Sequence, residues 1–168
     1  MIIYFLRHAS AGTHKADLKK DEKRALDKEG IEQCGMIGRA LAAMNVHVDV
    51  VISSPLKRAA QTAALVSNEI GHEGKLQLDA ALKPGGTWED FNRLLQKHSN
   101  AEAIMVVGHN PNLSEFLGRL IGRRAPAHVD LKKGAVAKTE ADSKGGTLEW
   151  CITPKTVRAA YDSGSAKK

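Results

Sequence analysis

The sequence predicts a three-layer αβα domain around a central sheet that is mostly parallel. Three observations predict it. Short runs of β-branched and aromatic residues alternate with segments whose apolar residues recur every three or four positions. Between Gly134 and Thr153 the period changes toward alternation in two segments joined by Asp142-Ser143-Lys144-Gly145-Gly146, which adds an antiparallel hairpin to the sheet. The chain of 168 residues, 42% apolar and 26% charged, is long enough for one substantial core.

The first strand is the apolar run Met1 to Leu6, which stops abruptly at Arg7-His8-Ala9-Ser10. Thr13 to Lys28 is polar, charged and without apolar period, so it reads as a long surface loop. Asp27 is placed to cap a helix whose buried face is Ile31, Cys34, Ile37, Leu41 and Met44. Val46 to Ile52 reads as the second strand, with its centre at Val50 to Ser53, and it ends at Ser53-Ser54-Pro55. Pro55 suits the first turn of the next helix, from Leu56 to Ile70.

Leu76 to Leu78 is a short third strand, followed by the loop Lys83-Pro84-Gly85-Gly86. Thr87 caps a helix through Lys97, with Glu89 and Asp90 in its favourable first turn. Ala103 to Val107 is a buried strand ending at Gly108-His109-Asn110-Pro111, before a helix from Asn112 to Ile121. The hairpin strands are Gly134 to Ala141 and Thr147 to Thr153, and Pro154 stops the second. One domain is expected over residues 1–161, with a flexible tail over 162–168.

Composition narrows the function. A net charge of +6 favours acidic partners, but the basic residues alternate with acids or lie near the C-terminus. With 4% aromatic residues, a nucleic-acid surface of basic stripes and stacking platforms is disfavoured. Cys34 and Cys151 lack metal-ligand spacing and read as two buried thiols of a reducing compartment. No run approaches the roughly 20 apolar residues of a membrane span. The N-terminal run lacks the basic flank and cleavage site of a signal peptide, so a cytoplasmic protein is expected.

Three apolar strands therefore end in polar groups: Arg7-His8, Ser53-Ser54-Pro55 with Arg58, and Gly108-His109-Asn110-Pro111. Parallel strands bring such ends to one edge of the sheet, where ligands bind in open α/β folds. Arginines grip phosphate through a planar fork, and helix starts add backbone N–H donors. A neutral histidine can attack phosphorus. The chemistry these residues share is phosphoryl transfer.

The motifs Leu6-Arg7-His8-Ala9, Ser53 to Ala63 and Val107 to Pro111 resemble those of the histidine phosphatase superfamily, the phosphoglycerate mutase-like fold. The resemblance runs from Met1 to about Thr153. It implies that His8 is the nucleophile, transiently phosphorylated, and that Arg7, Arg58 and His109 complete the catalytic phosphate pocket. Ser10, Arg24 and Asn110 are further candidates for substrate binding. The family uses no metal and no cofactor. Ala9 stands where glycine is common, a mild departure.

A second departure bears on substrate. Relatives acting on phosphate esters supply a carboxylic acid after the third strand, because an alkoxide leaving group needs a proton. Here that stretch reads Ala80-Ala81-Leu82-Lys83-Pro84-Gly85-Gly86. The missing acid, the short chain and Arg24-Ala25-Leu26-Asp27 resemble the small bacterial SixA-type phosphohistidine phosphatases. That resemblance implies an enzyme acting on a phosphohistidine-bearing protein, and a monomer is expected. Two alternatives stay open: an ester phosphatase with Asp79, Glu89 or Asp90 as its acid, and a catalytically silent phosphate-binding module.

Overall fold

The computed structural model describes residues 1–165. Its elements are β1 (Ile2–Arg7), α1 (Leu18–Glu22), α2 (Lys28–Ala43), β2 (Val50–Ser53), α3 (Lys57–Glu69) and β3 (Gln77–Leu78). A 3₁₀ turn (Ala80–Leu82), α4 (Trp88–Lys97), β4 (Ala103–Gly108), α5 (Asn112–Ile121), β5 (Val136–Asp142), β6 (Gly145–Ile152) and α6 (Pro154–Ser165) follow. The six strands form one sheet in the order β3-β2-β4-β1-β5-β6. β1 to β4 pair in parallel, whereas β5 runs antiparallel to β1 and β6 antiparallel to β5. This is the α/β architecture with an added hairpin that the pattern predicts.

The period-two geometry of the strands divides the core into two faces. Tyr4, Leu6, Met105 and Val107 meet Ile37 and Leu41 of α2 and Ala59, Ala63 and Val66 of α3 on one face. Ile3, Phe5, Ile104 and Val106 meet Phe91 and Leu94 of α4 and Leu113 and Leu117 of α5 on the other. β1 and β4 lie in the middle of the sheet and are buried on both sides, which is why they read as unbroken apolar runs. The site is therefore anchored on the most deeply packed strands.

Local signals place most helix starts. Asp27 accepts from Gly30 N–H at 2.7 Å, and Thr87 and Asp90 form a reciprocal capping box. Four readings change. The expected loop over 13–28 contains α1, capped by Asp17, whose side chain accepts from Lys20 N–H at 3.1 Å. A five-residue helix is too short to show a period.

Ile31 and Met44 are exposed, and the buried face of α2 is Gly30, Cys34, Ile37, Gly38 and Leu41. The face begins at a glycine, because a Cβ on Gly30 would lie 2.0 Å from the Ser10 carbonyl oxygen. Cys151 is exposed, since β6 is the sheet's edge strand, while Cys34 is buried as expected. At the C-terminus, the tail expected from Asp162 continues as α6 through Ser165, and residues 166–168 lie outside the described residues. No helix among the described residues is long and apolar enough to cross a membrane.

Candidate active site

The ladder between the parallel strands continues one residue past their ends. His8 N–H donates to Gly108 O at 3.0 Å, and Ser54 N–H donates to Val107 O at 2.9 Å. His8, Ser54 and His109 are thus fixed side by side at the carboxyl edge of the sheet. His8 and His109 border a cavity of about 450 Å³ whose wall also includes Arg58 and Asn110. The segment between β1 and α2 adds His14 and, from α1, Leu18, Asp21 and Glu22, and the loop after the 3₁₀ turn adds Lys83 and Pro84.

His8 is buried, and its Nδ1 lies 2.7 Å from the Ala9 carbonyl oxygen. A carbonyl only accepts, so Nδ1 carries the proton and Nε2 keeps its lone pair. Burial, reinforced by the nearby Arg58 and Arg7 charges, pushes the His8 pKa down to about 4. The ring is therefore neutral near pH 7. The backbone of its loop is tied to α3, where Thr62 Oγ1 accepts from Ala9 N–H at 3.1 Å and donates to Arg58 O at 2.7 Å. One helix turn thus sets the His8 loop and the arginine relative to each other.

Arg58 is buried, and its Nη1 donates to the Asp21 carbonyl oxygen at 2.9 Å. The same nitrogen lies 3.3 Å from Asp21 Oδ2. Asp21 Oδ1 in turn accepts from Arg24 Nε at 2.8 Å and from Lys15 N–H at 2.9 Å. The Arg24 hydrogen bond, above all, holds the Asp21 carboxyl well below the usual range. Asp21 is thus a buried carboxylate with two guanidinium partners, as buried charges require. Arg7 donates from Nη1 to Leu131 O at 2.8 Å, which aligns the guanidinium at the end of β1.

His109 faces His8 at a ring separation of 5.0 Å. Burial first, then the charges of His8, Arg58 and Arg7, lower its pKa to about 2. Its Nε2 is 2.8 Å from Ser54 Oγ, which itself accepts from Leu56 N–H at 3.3 Å. With Ser54 donating to Nε2, the His109 proton sits on Nδ1. That nitrogen, Arg7 Nε and Arg58 Nε are buried without a protein partner. Buried donors normally find an acceptor. Unpartnered nitrogens of this kind on the residues around His8 suit a ligand rich in acceptor oxygens.

The other sequence candidates separate. Asn110 lines the cavity, yet its Nδ2 donates to Leu131 O at 2.9 Å and its Oδ1 accepts from Ser114 at 2.8 Å. Ser10 turns away: its hydroxyl donates to Asp27 Oδ2 at 2.8 Å, and it is absent from the cavity wall. Arg24 serves Asp21 and the Ala11 carbonyl, the latter at 2.7 Å, and also stands off the wall. Ser10 and Arg24 are thus placed to hold the loop rather than to touch a ligand.

Asp79 caps the 3₁₀ turn through Ala81 N–H at 2.9 Å, and Asp90 caps α4. Both border a different cavity of about 320 Å³, with Arg93 and Lys97, that contains none of the strand-end residues. Glu89 lies on neither wall. Sequence reasoning missed Asp21, His14 and Glu22, which reach the site from a segment with no motif of its own. Among the described residues, no three His, Cys, Asp or Glu side chains group as metal ligands.

Comparison with known proteins agrees with this geometry. Residues 3–93 match the model of the histidine phosphatase superfamily (branch 1). An uncharacterized protein of Picosynechococcus sp. is 30% identical over 81% of this chain and 82% of its own. Phosphohistidine phosphatase SixA of Escherichia coli is 24% identical over 95% of this chain and 98% of its own. A structure of the protein histidine phosphatase SixA complexed with tungstate superposes with a TM-score of 0.84 at 22% identity. It covers 94% of this chain and 99% of that one.

Proposed function

This chain belongs to the histidine phosphatase superfamily, and from that premise we propose that it removes phosphoryl groups from phosphohistidine on a protein. The observation that carries the reading is His8 itself. It is a buried, neutral imidazole with Nδ1–H committed to Ala9 O, beside Arg58 and His109. His8 Nε2 attacks phosphorus, the bond from phosphorus to the substrate nitrogen breaks, and a phosphoryl-His8 intermediate forms. Water then attacks that phosphorus and releases phosphate. Because Nδ1 already holds a proton, His8 departs as neutral imidazole in the second step.

Arg7, Arg58 and His109 supply fixed donors and positive charge to the equatorial oxygens during both steps. The choice of a P–N substrate rests on the carboxylates. Asp79, Glu89 and Asp90 lie off the cavity wall, and Asp21 is an ionised partner of Arg24 and Arg58. Glu22 is paired with Lys83 at 3.0 Å. None of these is a protonated acid aimed at an alkoxide. The match along nearly the whole of phosphohistidine phosphatase SixA supports the same choice. We assign the protein to the cytoplasm as a monomer that needs neither metal nor cofactor.

The test compares a phosphohistidine peptide with simple phosphomonoesters, using wild type and His8→Ala. Preferential hydrolysis of the peptide, with label trapped on wild type and none on His8→Ala, is expected. A large preference for the monoesters would overturn the substrate class. Failure to trap label from any donor would make the protein a phosphate-binding module instead.

A further inference from the structure

His8 carries its own distal proton, but the substrate imidazole has no such provision. The phosphorylated ring nitrogen cannot accept a proton without losing aromaticity, so protonation must occur at the other ring nitrogen. With that nitrogen neutral, the P–N bond would have to expel imidazolate, a poor leaving group. A proton donor at the leaving-group side is therefore needed. Because the ring nitrogen is far more basic than an ester oxygen, that donor can be an imidazolium rather than the carboxylic acid an ester requires.

Geometry locates that side. Displacement at phosphorus runs in line, so the leaving group stands opposite the nucleophile. His8 is at the floor of the cavity, 7% exposed, and the substrate ring must lie toward the open rim. Titratable side chains at the rim are His14, Glu22 and Lys83. Glu22 and Lys83 neutralise each other at 3.0 Å, and the deeper Asp21 is an ionised carboxylate. His14 remains, with a side chain 71% exposed and Nδ1 3.0 Å from Asp21 Oδ1.

We infer that His14 donates the proton that makes the substrate imidazole a neutral leaving group, an assignment resting on the phosphohistidine reading above. Nδ1–H of His14 is held by Asp21, which leaves Nε2–H for the substrate. This is the arrangement in which a carboxylate orients a catalytic imidazole. In the first step His14 passes its Nε2 proton to the unphosphorylated ring nitrogen as the P–N bond breaks, and the bond pair stays on the departing nitrogen. In the second step neutral His14 takes a proton from the attacking water, and the cycle closes without another reagent. The groups facing His14 are Asp21, with Arg24 and Arg58 bound to the same carboxylate, and the Glu22–Lys83 pair.

The test uses His14→Gln, because Asp21 also holds Arg58 and its loss would confuse the two roles. On a phosphohistidine peptide, kcat should fall by about a hundredfold with little change in KM. On 2,4-dinitrophenyl phosphate, whose leaving group needs no proton, the loss should shrink to about threefold or less. Added imidazole should restore peptide turnover to His14→Ala. Equal losses on both substrates, no loss on the peptide, or no rescue would each overturn the assignment. These outcomes are separate from the fate of the phosphohistidine reading, which falls if wild type strongly prefers simple phosphomonoesters to the peptide.

Discussion

Asp21 holds Arg58 twice through a single nitrogen: Nη1 is 2.9 Å from its carbonyl oxygen and 3.3 Å from its carboxylate Oδ2. The arginine proposed to grip phosphate is thereby bound to a short helix 37 residues earlier in the chain. Backbone and side chain of one residue fix both the position and the charge of the guanidinium.

Replacing Asp21 with Asn keeps the carbonyl contact and removes the charge. Arg58 and Arg24 then face each other with no counter-ion in a buried setting. A loss of about 3 kcal/mol of unfolding free energy is expected, typical of a broken buried pair. The carboxyl pKa is depressed in the folded state, so wild-type Asp21 contributes stability above its unfolded pKa and loses it as pH falls through the folded one. Denaturant titrations should therefore show the Asp21→Asn deficit at neutral pH narrowing in strong acid. A constant deficit would contradict the pairing.

Arg58→Lys keeps the charge but loses the planar fork that serves Asp21 and a phosphoryl oxygen together. Turnover should drop by about a hundredfold or more, the scale of losing one oxyanion donor. Near-normal kcat in this variant would remove Arg58 from the phosphate clamp.

The neutral state of His8 has a pH signature. Its pKa of about 4 lies below the ordinary histidine value. NMR titration should find the His8 ring neutral down to about pH 4. Between the ordinary value of about 6.5 and the folded value, the unfolded chain binds a proton that the folded chain excludes. Unfolding free energy should thus be full above that window and fall as pH is lowered through it. A His8 titrating near its ordinary value would show an open, hydrated ring instead.

Gly30→Ala tests the seat of the nucleophile loop. The new Cβ would meet the Ser10 carbonyl oxygen at 2.0 Å, so α2 must move away from the segment after β1. A destabilisation of about 1–3 kcal/mol is expected from such overpacking, with a parallel loss of turnover. Unchanged stability would mean that the two segments do not touch.

Glu89→Gln and Asp90→Asn separate the carboxylates of α4 from catalysis. Both should retain wild-type turnover, and Asp90→Asn should lower the melting temperature slightly as the capping box loses its charge. Loss of ester hydrolysis in either variant would favour the ester-phosphatase mechanism.

Much of this protein is legible from short-range pattern. β1, β2 and β4 are recognised because both faces of each are packed, which forces unbroken apolar runs ending sharply at polar groups. Asp27 and Thr87 announce their helices because a cap acts within three residues. Ile31 fits the apolar period yet is exposed for the opposite reason: the contact of α2 at that turn is made by Gly30, whose missing side chain leaves no apolar signal.

The sequence by itself determined that the strand ends carrying His8, Arg58 and His109 belong to one cavity. Strand period and motif spacing are local quantities, and parallel pairing converts them into a shared edge. Only the tertiary structure decided how that site is tuned. Asp21 and His14 lie in a polar segment without period, and their roles arise from contacts to Arg58 and to the cavity rim. Ser10 and Arg24, equally polar and equally near in sequence, instead spend their hydrogen bonds on Asp27 and Asp21. A polar side chain acquires its task from the partner that folding places within about 3 Å, the range of a hydrogen bond, and that partner is set by the packed core.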